Sequence, residues 1–184
     1  MDNGASSYRR FLEKENEGLS ELIRDYSDGL VFYINSLVNN ISVAEELSEE
    51  VFVELVVGKP KFSGKSSFKT WLYSIARHIA MDHLKAKSRF SDIPVDEMYS
   101  LSDEVDLEKR CLKDEQKIQV HKCLGKLIPE HRQVLWLSYF DELSNTDIAR
   151  IMGRSNRQVE NLLYRAKKAL KKELEKEGYE HEEF

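Results

Sequence analysis

Cysteine is nearly absent: Cys111 and Cys123 are the only two in 184 residues. One pair cannot supply a framework of disulfide staples, so a reduced, cytoplasmic compartment is expected. Proline occurs only at Pro60, Pro94 and Pro129, each between periodic segments, where helices usually stop. The longest apolar run, Leu30-Val31-Phe32-Tyr33-Ile34, has five residues, too few to insert into a membrane. The stretch Met1 to Arg10 lacks the apolar segment of a signal peptide. Positive charge is not in surplus either: 28 Lys and Arg face 33 Asp and Glu, a net charge of -5. Taken as an average, that balance argues against a nucleic-acid partner. Apolar residues make up 41% of the chain, enough for a core and too many for a disordered polymer.

What is present is helical periodicity. Leu19, Leu22, Ile23, Tyr26, Leu30, Ile34, Leu37 and Val38 recur at helix spacing, as do Ala44, Leu47, Val51 and Leu55. Phe68, Leu72, Ile75, Ala76, Ile79 and Leu84 follow the same rule. No comparable run alternates strictly, so the fold class is all-α. Ser91 to Asp106 break the pattern with Pro94, serines and acids, the composition of an interdomain linker. A second helical set is expected over Leu107–Leu127, Glu130–Phe140, Thr146–Met152 and Asn156 to about Leu174.

Charge is also unevenly placed. Residues 61–90 hold 7 basic and 1 acidic side chains, and residues 154–172 hold 7 and 1 again. Two basic islands therefore sit in an otherwise acidic chain, and the average hides them.

The second island follows a recognisable local pattern. Ser144 suits a helix N-cap with Asp147 three residues on, and Gly153 suits a left-handed turn position. Ser155 can cap the next helix, whose apolar set is Val159, Leu162, Leu163, Ala166 and Leu170. A short helix, a glycine turn and a longer basic helix describe a helix-turn-helix. Arg157, Asn161, Arg165 and Lys168 step by helical spacing and share one face with Gln158 beside them. Arg and Lys neutralise phosphates, while Asn, Gln and Arg can pair with base edges in the major groove. Read only as charge, the same face is a solvated surface; the glycine turn and preceding helix favour DNA.

The first island, Phe62 to Tyr73, mixes basic and aromatic residues before continuing helically through Arg77, His78, Met81 and Lys85. Basic groups track a backbone and aromatic faces can hold an unstacked base, which suits melted DNA better than duplex. The plainer reading makes Phe68, Trp71 and Leu72 core residues.

The stretch FSGKSSFKTWLYSIAR, Phe62 to Arg77, resembles a signature of the extracytoplasmic-function (ECF) sigma factors of bacterial RNA polymerase. Leu143-Ser144, Ile148-Ala149, Gly153, Val159 and Tyr164-Arg165-Ala166 resemble the pattern of that family's second domain. The resemblance implies two small helical domains joined by a flexible linker: 1–90, a linker at 91–112, and 113–184 with the helix-turn-helix and an acidic tail. It implies a bacterial, cytoplasmic transcription factor that reads −10 and −35 promoter elements and helps melt DNA. For the −10 element it implies Phe62, Lys65, Ser66, Ser67, Lys69, Arg77, His78, Met81 and Lys85. For the −35 element it implies Arg157, Gln158, Asn161, Tyr164, Arg165, Lys167 and Lys168. Glu46, Leu47, Glu50 and Phe52 would meet the polymerase core at its clamp, with the flap as a further contact. An anti-sigma factor is a further implied partner.

This chain departs from the family pattern at His78, where Asn is common, and at Glu160 and Leu162, where basic residues are common. It also lacks the Trp usual near Val56. No catalytic set, metal site or cofactor is expected: His78, Asp82 and His83 lie among basic residues, and Cys111, His121 and Cys123 match no common ligand spacing. The rival readings are a stand-alone helix-turn-helix regulator, which would need a dimer and paired half-sites, and a metal-dependent nuclease built on Asp82.

Overall fold

A computed structural model describes residues 3–90 and 115–178, with side chains placed for 3–89 and 120–178. The expected linker, the helical start at Leu107, Cys111 and the end of the acidic tail lie outside the described residues. Every regular element among the described residues is helical. In order these are α1 (Asn3–Leu12), α2 (Asn16–Val38), α3 (Ile41–Val57), α4 (Phe68–Phe90), α5 (Glu115–Gly125), α6 (Pro129–Leu135), α7 (Asn145–Met152) and α8 (Asn156–Lys176).

Local chemistry sets the breaks. Asn39 ends α2 in the left-handed region at φ 52°, and the Asn40 side chain starts α3 by accepting from the Val43 amide. Asparagine tolerates both roles because its short amide replaces missing backbone partners. Pro129 begins α6, where its absent N–H costs nothing. After Leu135 the helix widens into a π turn, Trp136–Phe140, in which the Asp141 amide reaches back to the Trp136 carbonyl at 3.2 Å. That turn stacks Trp136 on Phe140 with ring centroids 4.3 Å apart and 5° between planes.

Helix α1 carries no long apolar stripe and was not anticipated. It is held by Tyr8, which is buried against Phe68 and Trp71 and donates its hydroxyl to the Pro60 carbonyl at 2.8 Å. Gly18 lets α2 run against α1, since a Cβ there would lie 2.3 Å from the Ser7 carbonyl oxygen.

The expected stripes form the core of the first half. Leu22, Leu30, Ile34, Leu37, Ala44, Leu47, Val51, Leu55, Phe68, Leu72 and Ala76 are all buried. In the second half Leu124, Val134, Leu137, Ile148, Met152, Val159, Leu162 and Ala166 do the same. Truncating one such leucine to alanine typically costs about 2–5 kcal/mol.

The two halves also pack on each other, through α2 against α6 and α4 against α7. Arg132 is buried in this seam and donates through Nε to the Ser36 carbonyl at 2.6 Å and through Nη1 to Gly125 at 3.1 Å. Gln133 donates to the Tyr33 hydroxyl at 2.7 Å, and Phe32 lies against Trp136. No described helix is long and apolar enough to cross a membrane.

Candidate nucleic-acid interface

Helix α8 presents the clearest surface. Ser144 caps α7 by accepting from the Asp147 amide at 3.2 Å. Gly153 then turns the chain at φ 64°, with the Arg154 amide returning to Ala149 at 2.9 Å. Ser155 and Gln158 form a reciprocal capping box: the Gln158 amide donates to Ser155 Oγ at 3.3 Å, and the Ser155 amide donates to Gln158 Oε1 at 2.8 Å. This fixes the entry angle and leaves the positive end of the α8 dipole unburied. Asn156 reaches Thr146 at 3.2 Å, and Arg154 pairs with Glu130, so α8 is tied to α7 and α6 at its start.

Val159, Leu162 and Ala166 face inward, which turns Arg157, Gln158, Asn161, Tyr164, Arg165, Lys167 and Lys168 outward, all exposed. Two are partly ordered by rings: Lys167 sits 5.2 Å from the Tyr139 centroid and Lys168 5.7 Å from that of Tyr164. Gln158 has one side-chain atom committed to the cap. Its Nε2 group has no hydrogen-bond partner among the described residues. Glu160 is exposed on the same helix.

The first island divides into a loop and a helix. Gly64 turns the loop at φ 72°, and Ser67 caps α4 by accepting from the Thr70 amide at 3.1 Å. Lys65 and Ser67 are exposed; Ser66 and Phe62 are half-buried. The Phe62 ring packs on Phe68 and Trp71 at 5.6 and 5.2 Å, so these three aromatics with Tyr8 act first as core. Farther along α4, His78 pairs with Asp82 at 3.2 Å, and Lys85 pairs with the same carboxylate at 3.1 Å. The Lys85 contact holds the Asp82 carboxyl below its ordinary range, with His78 adding to the effect. Arg77 and Met81 are half-buried.

Lys69, at the head of α4, meets the second half. It forms an ion pair with Asp141 at 2.8 Å and donates to the Asp141 carbonyl at 3.2 Å. The Tyr73 hydroxyl donates to Asp141 Oδ1 at 2.9 Å, and the Thr70 hydroxyl donates to Asp147 Oδ1 at 3.0 Å. Burial and the adjacent Asp141 charge push the Tyr73 hydroxyl pKa far up, so it remains a donor. Sequence reasoning named Lys69 and Asp147 but not these pairings, since partners 68 to 77 positions apart leave no periodic signal.

On helix α3 Leu47 and Phe52 are 5% and 9% exposed and pack into the core, while Glu46 and Glu50 are exposed. The outer face instead carries Glu46, Glu49, Glu50, Val53, Glu54 and Val57, with Val57 76% exposed. Among the described residues no three His, Cys, Asp or Glu side chains gather to hold a metal. Cys123 is buried and unpaired.

An all-helical chain with a capped helix-turn-helix and a second basic helix belongs to the helix-turn-helix class of proteins. Two family models match it: Sigma-70 region 2 over residues 22–90 and Sigma-70, region 4 over 117–170. The chain belongs to the sigma-70 family of RNA polymerase sigma factors, in its ECF branch, and directs promoter-specific transcription initiation. The family has no catalytic activity of its own. RNA polymerase sigma factor YlaC of Bacillus subtilis is 30% identical over 89% of this chain and 95% of its own length. ECF RNA polymerase sigma factor SigW of the same organism is 27% identical over 87% and 90%. Among solved structures, the sigma factor RpoE in complex with the anti-sigma factor NepR from Bartonella quintana shares the fold. Its TM-score is 0.66 at 20% identity, over 85% of this chain and 96% of that one.

Proposed function

We propose that α8 reads the −35 element, with Asn161, Tyr164 and Arg165 toward the bases and Arg157, Gln158, Lys167 and Lys168 toward phosphates. The observation that carries this is the exposure of all seven on a helix whose entry is fixed by Gly153 and the capping box. Phosphate contacts set register, and bidentate side chains read sequence. The −10 element falls to the 62–67 loop and α4, through Phe62, Lys65, Ser66, Ser67, Lys69, Arg77, His78, Met81 and Lys85. Lys65 and Ser67 are exposed enough to touch a strand without rearrangement.

Core polymerase docks on the outer face of α3. Glu46 and Glu50 supply charge for a basic clamp surface, with Leu47 and Phe52 as apolar partners and the exposed Val53 and Val57 on the same helix. The second half meets the flap. The division into 1–90, 91–112 and 113–184 is part of the same reading. An anti-sigma factor is a fitting further partner, since the structurally similar RpoE was solved with the anti-sigma factor NepR.

The test is reconstituted transcription with core polymerase on selected promoter sequences. Initiation should require both elements, and Glu46→Lys should abolish core binding while polymerase-free duplex binding persists. Normal core affinity in that variant would remove α3 from the interface.

A further inference from the structure

Helix α1 lies ahead of residues 22–90, the stretch that matches Sigma-70 region 2. It is nevertheless anchored firmly. Ser7 donates to the Glu21 carboxylate of α2 at 2.6 Å, and Arg10 donates to both oxygens of that carboxylate at 2.9 and 3.0 Å. Gly4 lies so close to α4 that a Cβ there would stand 2.5 Å from Phe68 Cδ1. Tyr8, between them, is 2% exposed and gives its hydroxyl to the Pro60 carbonyl. Burial first and the Glu54 charge second push that hydroxyl pKa up to about 12, so it stays a donor at neutral pH.

The Pro60 carbonyl belongs to the connector between α3 and α4, which has little else to hold it. Lys59 stands in the left-handed region at φ 46°, and Gly64 does so at φ 72°. A lysine there is strained and persists only where its surroundings fix it. Among the described residues, no backbone group from 59 to 66 makes a main-chain hydrogen bond. Tyr8 therefore supplies the connector's backbone with a fixed point from another helix. The Phe62 ring adds a second hold through Trp71, which itself lies 5.4 Å from the Tyr8 ring.

We propose that Tyr8 is a positioning residue for −10 recognition, which through Pro60 fixes the 59–66 connector in the shape that presents Phe62, Lys65 and Ser66 to a base. The inference rests on the reading that the 62–67 loop meets the −10 element. Tyr8 is buried and touches no DNA; it acts through the main chain. A loop already held in one shape binds without first being ordered, and a loosened one must be ordered on contact. The loss falls on base discrimination, because base edges carry the sequence while phosphate contacts carry none.

The experiment uses holoenzyme assembled with the full chain, on promoters obtained by selection, with 2-aminopurine in the −10 element reporting opening. The readout is the ratio of opening rates between the selected −10 sequence and single-base variants of it. Tyr8→Phe keeps the ring and removes the hydroxyl; it should lower that ratio by about fivefold. Core affinity and −35 discrimination should stay at parental values. Gly4→Ala pushes α1 off Phe68 and should lower the ratio as well, which keeps the test open if one of the two does not fold. Ile34→Val is a buried change in the same half that should cost similar thermal stability and leave the ratio unchanged. An unchanged ratio in the folded α1 variants, an equal fall in Ile34→Val, or a parallel loss of −35 discrimination overturns the positioning role. Lys65→Ala and Ser66→Ala test the underlying reading separately. If they lower the ratio while Tyr8→Phe does not, the loop reads DNA without Tyr8. If they too leave it unchanged, the loop is not the −10 reader and the proposal falls with that reading.

Discussion

The two basic islands carry the same balance of 7 basic residues to 1 acidic, yet the fold treats them differently. On α8 every candidate contact points to solvent, and the nearest carboxylate partners are at its ends. On α4 the head of the helix is spoken for by Asp141 and Asp147, and the middle by Asp82. Charge composition therefore predicts where DNA could bind, while accessibility decides which surface is ready to bind first.

The sharpest way to break this contrast is to remove an exposed basic side chain from α8. Arg165→Ala should weaken −35-dependent initiation by about 1–3 kcal/mol if it reads a base. Competition between promoters that differ only in the −35 element measures it, and unchanged discrimination removes Arg165 from base reading. Gly153→Val tests the turn behind that face. Its Cβ would meet nothing within 4 Å, so the expected loss comes from the left-handed backbone alone, about 1–2 kcal/mol. Thermal unfolding should show it; a variant as stable as the parent would mean that the turn relaxes freely. Lys65→Ala addresses the other island outside the seam. It should lower the salt dependence of promoter-complex formation by about one unit of slope. An unaltered slope would leave Lys65 without a phosphate.

These contrasts differ in how far they were legible before any fold was known. Helix stripes such as Leu30, Ile34 and Leu37 declare themselves by period, because burial of one helix face is a local pattern. The turn at Ser144, Gly153 and Ser155 was equally open, since caps and positive φ demand particular residues at fixed offsets. The exposed α8 face follows from those two facts. The burial pattern of α3 was less open: Phe52 lies off the stripe of Ala44, Leu47, Val51 and Leu55 yet is buried, while Val53 and Val57 are exposed. The seam was invisible, because Lys69 and Asp141 are joined by the packing of whole helices and not by spacing. Helix α1 was missed for a related reason, being held by one tyrosine and close approach to α2 and not by a stripe.

The smallest expected effect separates the halves by acid. His121 lies against Trp136 and Phe140 in the second half, with centroids 5.5 and 5.4 Å away. Burial there disfavours the imidazolium and lowers the pKa below the ordinary 6.5. His131 is shifted in the same direction, by burial first and then by the Arg165 charge. The unfolded chain therefore binds more protons than the folded one once pH falls below about 6.5. Stability from these residues is complete above that value and erodes as pH drops toward the folded-state pKa. His121→Phe keeps the ring and removes the titration, so its denaturation midpoint should fall less between pH 7 and 5. Carboxylates shared by both proteins cancel in the difference. Parallel pH profiles would show that His121 takes its proton inside the aromatic cluster at no cost.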